Sequence, residues 1–145
     1  METKLAPPNS KVTVLIVDDD IQILQLLQSV LTQDDEYNVL LAGSGALALK
    51  QSKDFKGEIK VLITDFQMPG MSGIDLATAI TVDRPKLKVL LMSGFPDGML
   101  ILNEGWHFLA KPFVSSQLRA LVVGLAAPGK KSRFAGSVSE AEKGE

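Results

Sequence analysis

Five short apolar runs, separated by segments long enough for helices, constrain this chain more than any other feature of it. They are Val12–Val17, Tyr37–Ala42, Ile59–Thr64, Leu87–Met92 and Trp106–Ala110. The first, third and fourth are close to continuously apolar and rich in Val, Leu and Ile, as strands covered on both faces are. The intervening segments carry the helical period instead. Leu24, Leu27 and Leu31 share one face, and Leu118, Leu121, Val122 and Leu125 follow i, i+3, i+4, i+7. Weaker helical patterns cover 44–52 and 72–83. Residues 94–105, GFPDGMLILNEG, leave room for only a stunted helix between their glycines and Pro96. Such alternation predicts an open α/β sandwich, because each parallel crossover needs a connecting helix.

A chain of 145 residues holds one domain at this scale. We expect a flexible arm over 1–10, a folded unit over 11–126 and a disordered tail over 127–145, where a Pro-Gly breaker opens a small, polar stretch. Fifteen basic against 17 acidic residues give a net charge of −2. That balance offers no basic field for nucleic acid or an anionic membrane. No apolar run approaches the ~20 residues of a transmembrane helix, and the N-terminus lacks a signal-peptide core. The expectation is a cytoplasmic protein with no membrane insertion and no direct nucleic-acid contact. Zero cysteines exclude disulfides, zinc-thiolate sites and cysteine nucleophiles, and a single histidine excludes multi-His metal sites.

Functional sites of open α/β sheets lie beyond the carboxyl ends of the strands. Here those ends read Asp18-Asp19-Asp20, Thr64-Asp65, Met92-Ser93 and Ala110-Lys111-Pro112. Carboxylates side by side repel unless a cation sits among them, and an oxygen-only ligand set favours a hard ion such as Mg²⁺. A carboxylate can also serve as a nucleophile and form an aspartyl-phosphate. A lysine and a hydroxyl would then neutralise phosphoryl oxygens. Asp65, alone after Thr64, is the natural nucleophile; Asp18 and Asp19 are the natural metal acids. Each group by itself has an ordinary explanation: an acidic helix start, a turn residue, a loop serine, a solvated lysine. Their convergence from four strand ends is what argues for a site.

The wording of these segments resembles a known family. VLIVDDD at 14–20, VLITDFQMPGMSG at 61–73, VLLMSG at 89–94 and FLAKPF at 108–113 are similar to the receiver domain of two-component response regulators, over about residues 11–126. The resemblance implies a flavodoxin-like, doubly wound five-stranded parallel sheet of order 2-1-3-4-5 with helices on both faces. It implies Asp65 as phospho-acceptor and Mg²⁺ as cofactor. Asp19, Asp65 and the backbone carbonyl of Gln67 would be direct ligands, with Asp18 acting through water. Ser93 would be the switch hydroxyl, Lys111 the phosphoryl partner, Phe108 the rotating aromatic, and Lys111–Pro112 a cis bond. Ser93 replaces the commoner Thr, Phe108 the commoner Tyr, and the short 18-residue interval from Ser93 to Lys111 is similar to receivers of hybrid histidine kinases.

The implied role is a phosphorelay switch rather than an enzyme with a diffusing substrate. Its partner would be a sensor histidine kinase or histidine phosphotransfer protein, docking on the first helix and the loops around Asp65, with exposed Ile23 or Leu26 as a contact point. Residues 94–105 would be the least ordered part of the core, and no symmetric dimer through the last two helices is expected. One alternative is a haloacid-dehalogenase-like aspartyl phosphatase, but that needs further acids after the lysine, and none occurs between Lys111 and Glu140. The other is a degenerate receiver used only for binding, against which the intact set of Asp18, Asp19, Asp65, Ser93 and Lys111 argues.

Overall fold

A computed structural model describes residues 11–33, 35–94 and 106–127. Five strands, β1 (Val12–Val17), β2 (Tyr37–Ala42), β3 (Val61–Asp65), β4 (Lys88–Ser93) and β5 (Trp106–Ala110), form one parallel sheet in the order β2-β1-β3-β4-β5. The described helices are α1 (Ile21–Leu31), α2 (Gly45–Asp54), α3 (Gly73–Asp83) and α4 (Ser115–Ala126). The arm 1–10, the segment 95–105 and the tail from 128 lie outside the described residues, and so do the expectations made for them.

The apolar patterning maps directly onto strand position. The three central strands, β1, β3 and β4, are buried almost throughout, whereas the edge strands β2 and β5 carry half-buried and exposed residues. Alternate residues of the central strands feed two separate cores. Val14, Ile16, Val61, Ile63, Leu90 and Met92 meet α1 and α4. On the opposite face Leu15, Val17, Leu62, Val89 and Leu91 meet α2 and α3. Leu24, Leu27 and Leu31 of α1 and Leu118, Val122 and Leu125 of α4 are all buried, while Leu121 is half-buried.

Strands β3 and β4 are displaced toward the C-terminus relative to the apolar runs. Ile59 is buried but precedes the ladder, while Asp65 and Ser93 belong to it, opposite Met92 and Ala110. Backbone pairing, not apolarity, sets where a strand stops. Each helix is started by a polar group: Asp20 accepts from Gln22 N, Ser44 from Leu47 N and Ser72 from Asp75 N, while Gln117 accepts from Val114 N.

Arg84, at the end of α3, ties that helix to α2 and the loop before β3. Its guanidinium donates to Ser52 Oγ and to the carbonyls of Ser52, Phe55 and Gly57 at 2.8–3.0 Å. These carbonyls lie in the last turn of α2 and just beyond it, where helical partners run out. Arg84→Ala should lower the unfolding free energy by about 2–3 kcal/mol in urea titrations. Arg84→Lys should recover less than half of that, since one ammonium lacks the planar fork of donors.

Candidate functional site

The carboxyl-terminal edge of the sheet gathers side chains from three strand ends. Asp18 follows β1, Asp65 ends β3 and Lys111 follows β5. Carboxylate oxygens of Asp18, Asp19 and Asp65 all lie within 4.8 Å of one another. The Lys111 ammonium stands 3.0 Å from Asp65 Oδ1 and 3.7 Å from Asp18 Oδ2. The ammonium is close enough to hold both acids but balances only one of the three charges.

Asp18 occupies the most demanding position. It is 1% exposed, and its backbone N–H donates to the Ala42 carbonyl, which fixes it to β2. Its Oδ1 accepts from Asp20 N at 2.9 Å; its Oδ2 is buried and has no hydrogen-bond partner. Burial pushes the Asp18 carboxyl above its ordinary range. The Asp20 hydrogen bond and Lys111 pull it back down, and the neighbouring Asp65 and Asp19 charges push it further up. Asp19 is exposed and Asp65 half-buried. A shared pocket of oxygens, one of them buried without a donor, fits a hard cation of the Mg²⁺ kind.

The loop after Asp65 is shaped by glycine. Gly70 has φ +84°, which L side chains rarely adopt, and Gly73 starts α3 against the end of β3. Gly73 N donates to Phe66 O at 2.9 Å, and a Cβ at residue 73 would collide with the Asp65 carbonyl oxygen. Phe66 N in turn donates to Met92 O at 2.7 Å. The backbone on both sides of Asp65 is therefore fixed. Gln67 lies two residues beyond it, exposed.

Ser93 is 3% exposed, and its carbonyl accepts from Lys111 N at 2.7 Å, so the serine and the lysine are joined through the main chain. Phe108 lies opposite Leu91, half-buried against the α2–α3 core. The Lys111–Pro112 bond is cis. On α1 the expectation for Ile23 needs correcting. Ile23 packs against the core, because it lies one turn before the buried Leu27, whereas Ile21 and Leu26 are 65% and 48% exposed. His107 is exposed on the edge strand, its imidazole pKa lowered by partial desolvation and by Lys88. The sequence offered an acidic helix start at 18–20 without singling out Asp20 as the cap, and the role of Gly73 was missed. The Ser-Gly pair at 72–73 is a helix-start signal that points to Gly73.

Two expected outcomes follow from this geometry. With no divalent cation present, Asp18→Asn should raise stability at pH 7 by about 1–2 kcal/mol, read from urea midpoints. The sign comes from linkage: a carboxyl whose folded pKa is raised binds its proton more tightly when folded. Wild-type stability should then fall as pH rises from 3.8 through the raised value, and the Asn variant should lose that slope. Gly73→Ala should cost about 1–3 kcal/mol by overpacking, and amide shifts in an NMR spectrum should be largest at Asp65 and Phe66.

Residues 14–123 match the response regulator receiver domain family. The chain is 31% identical over 117 residues to the C4-dicarboxylate transport transcriptional regulatory protein DctD of Pseudomonas aeruginosa, covering 78% of this chain and 25% of that one. It is 30% identical over 114 residues to the sensor kinase CckA of Brucella abortus, covering 76% and 12%. The structure of the response regulator protein TrrA from Thermotoga maritima, in complex with Mg²⁺ and BeF, superposes with a TM-score of 0.66 at 30% identity, covering 79% of this chain and 98% of that one. The chain spans 28% or less of the length of these curated relatives and the others it matches closely. With a parallel sheet of order 2-1-3-4-5 and a family match that covers most of its length, the chain belongs to the receiver domain family of two-component response regulators.

Proposed function

We propose that the unit over residues 11–126 is a phospho-accepting switch that works in the cytoplasm. It takes a phosphoryl group on Asp65 from a phosphohistidine of a sensor histidine kinase or a histidine phosphotransfer protein. The observation that carries this reading is the Lys111 ammonium held between Asp65 and a buried Asp18 whose Oδ2 has no donor. Such a site is built for more positive charge than the protein supplies.

In the transfer, a carboxylate oxygen of Asp65 attacks phosphorus and an acyl-phosphate O–P bond forms. The P–N bond breaks, and its electrons return to the donor imidazole. Lys111 Nζ, already 3.0 Å from Asp65 Oδ1, is placed to pair with a phosphoryl oxygen. The Ser93 hydroxyl, buried at the end of the neighbouring strand, would donate to another. Phe108 would turn as Ser93 moves. Mg²⁺ would be held by Asp19, Asp65 and the Gln67 carbonyl directly and by Asp18 through water, and would supply charge to the phosphoryl oxygens. Asp65 chemistry remains within the domain, as self-phosphorylation and autodephosphorylation. A phosphatase reading finds no additional acid between Lys111 and Glu140.

Incubation with acetyl phosphate and Mg²⁺ should add one phosphoryl mass to the wild-type protein. The addition should vanish in Asp65→Asn and with excess chelator. Labelling of the Asn variant equal to wild type would overturn the assignment.

A further inference from the structure

Three consecutive acids follow β1, and the structure separates their duties. Asp20 is not among the carboxylates, those of Asp18, Asp19 and Asp65, that share the pocket. Its Oδ1 accepts from Gln22 N at 2.9 Å and starts α1, with the residue in an extended conformation of φ −97° and ψ 111°. Its own N–H donates to Asp18 Oδ1 at 2.9 Å. Asp20 therefore makes two bonds in opposite directions along the chain, one forward into the helix and one back to the buried acid.

The second bond decides which oxygen of Asp18 is available. Oδ1 is spent on the Asp20 amide, so Oδ2 alone points inward, 3.7 Å from Lys111 and without any hydrogen-bond donor. Asp18 is almost completely enclosed, so its carboxylate cannot recruit bulk water to replace a lost partner. If the chain between Asp18 and α1 loosened, the carboxylate would gain rotational freedom about its terminal torsion, which is soft. The fixed oxygen would then become one of several orientations.

We propose that Asp20 is a positioning residue for cation binding: by capping α1 it holds its own amide against Asp18 Oδ1 and so aims Oδ2 into the acidic pocket. The effect requires an acceptor on the side chain, not a charge. This rests on the reading of the pocket as a Mg²⁺ site. Residues that hold a metal ligand in orientation commonly change affinity by about tenfold or more when removed.

The test measures the Mg²⁺ dissociation constant by calorimetry, on the full chain and well below the unfolding midpoint, for wild type, Asp20→Ala, Asp20→Asn and Asp20→Ser. Asn and Ser retain a capping acceptor without the charge. Positioning predicts affinity weakened by about tenfold in the Ala variant and within about twofold of wild type in both others. Equal weakening in all three would mean that only the Asp20 charge matters, and would overturn the proposal. Unchanged affinity in the Ala variant, with only a lower melting temperature, would reduce Asp20 to a helix cap and overturn it as well. Mg²⁺ failing to bind the wild type would instead strike the reading of the pocket, which the wild-type titration detects before any variant is compared.

Discussion

Like charge concentrated at one edge of the sheet governs the design of this molecule. Three carboxylates each bring an oxygen within 4.8 Å of the other two, and one of them is almost fully buried. At such separations each pair repels by an amount that solvent cannot fully screen, because Asp18 is removed from water. Lys111 answers with a single positive charge divided between two acids. Two units of negative charge are left uncompensated, which is the charge of one divalent cation. The fold thus carries a local repulsion that a bound cation would relieve, and binding to the folded state alone would raise stability with the logarithm of the cation concentration.

That arrangement is possible only because the strands below it leave no freedom. Parallel ladders place Asp65 opposite Met92 and Ser93 opposite Ala110, so neighbouring strand ends stop almost level. Side chains alternate strictly, and a slip of one residue in β3 would carry Leu62 and Ile63 into each other's cores and turn Asp65 to the other face. Burial of both faces of β1, β3 and β4 makes such a slip expensive. The apolar interior therefore sets the positions of the charged groups above it. Gly73 completes the restraint, because only a residue without Cβ lets α3 start against the Asp65 carbonyl.

What could be read from the sequence follows the same division. Continuous apolar runs announced the central strands, their polar ends announced the acids and the lysine, and the edge position of β2 and β5 is consistent with their mixed patterning. Long-range hydrogen bonding was not legible. Nothing local says that Arg84 serves the end of α2, since its acceptors are 27 to 32 residues away. Ile21, Ile23 and Leu26 are equally apolar, and only the docking angle of α1 decides that Ile23 turns inward. The acids of the Asp18–Asp20 run are identical as letters. Their roles separate through burial, exposure and a helix cap that exist only once α1 has formed.

Lys111 links the charge problem to the rest of the sheet. Its ammonium lies between Asp65 and Asp18, while its backbone N–H holds the Ser93 carbonyl at 2.7 Å. One residue thus ties the site to the β4–β5 junction by both ends. The proposed phosphoryl group on Asp65 would offer the ammonium new anionic oxygens farther from β3 than the carboxylate it now holds. The main-chain end cannot follow freely, because it is hydrogen-bonded to Ser93 O just beyond the ladder between β4 and β5. A change of partner at Nζ must then be absorbed by the Lys111 side chain or by movement at Ser93 and along β5 toward Phe108. Ser93 is buried and Phe108 is only partly packed, so the edge strand is where the smaller resistance lies. The same crowding of charge therefore points the consequences of the proposed phosphoryl group toward β5, an edge strand with a single neighbour in the sheet.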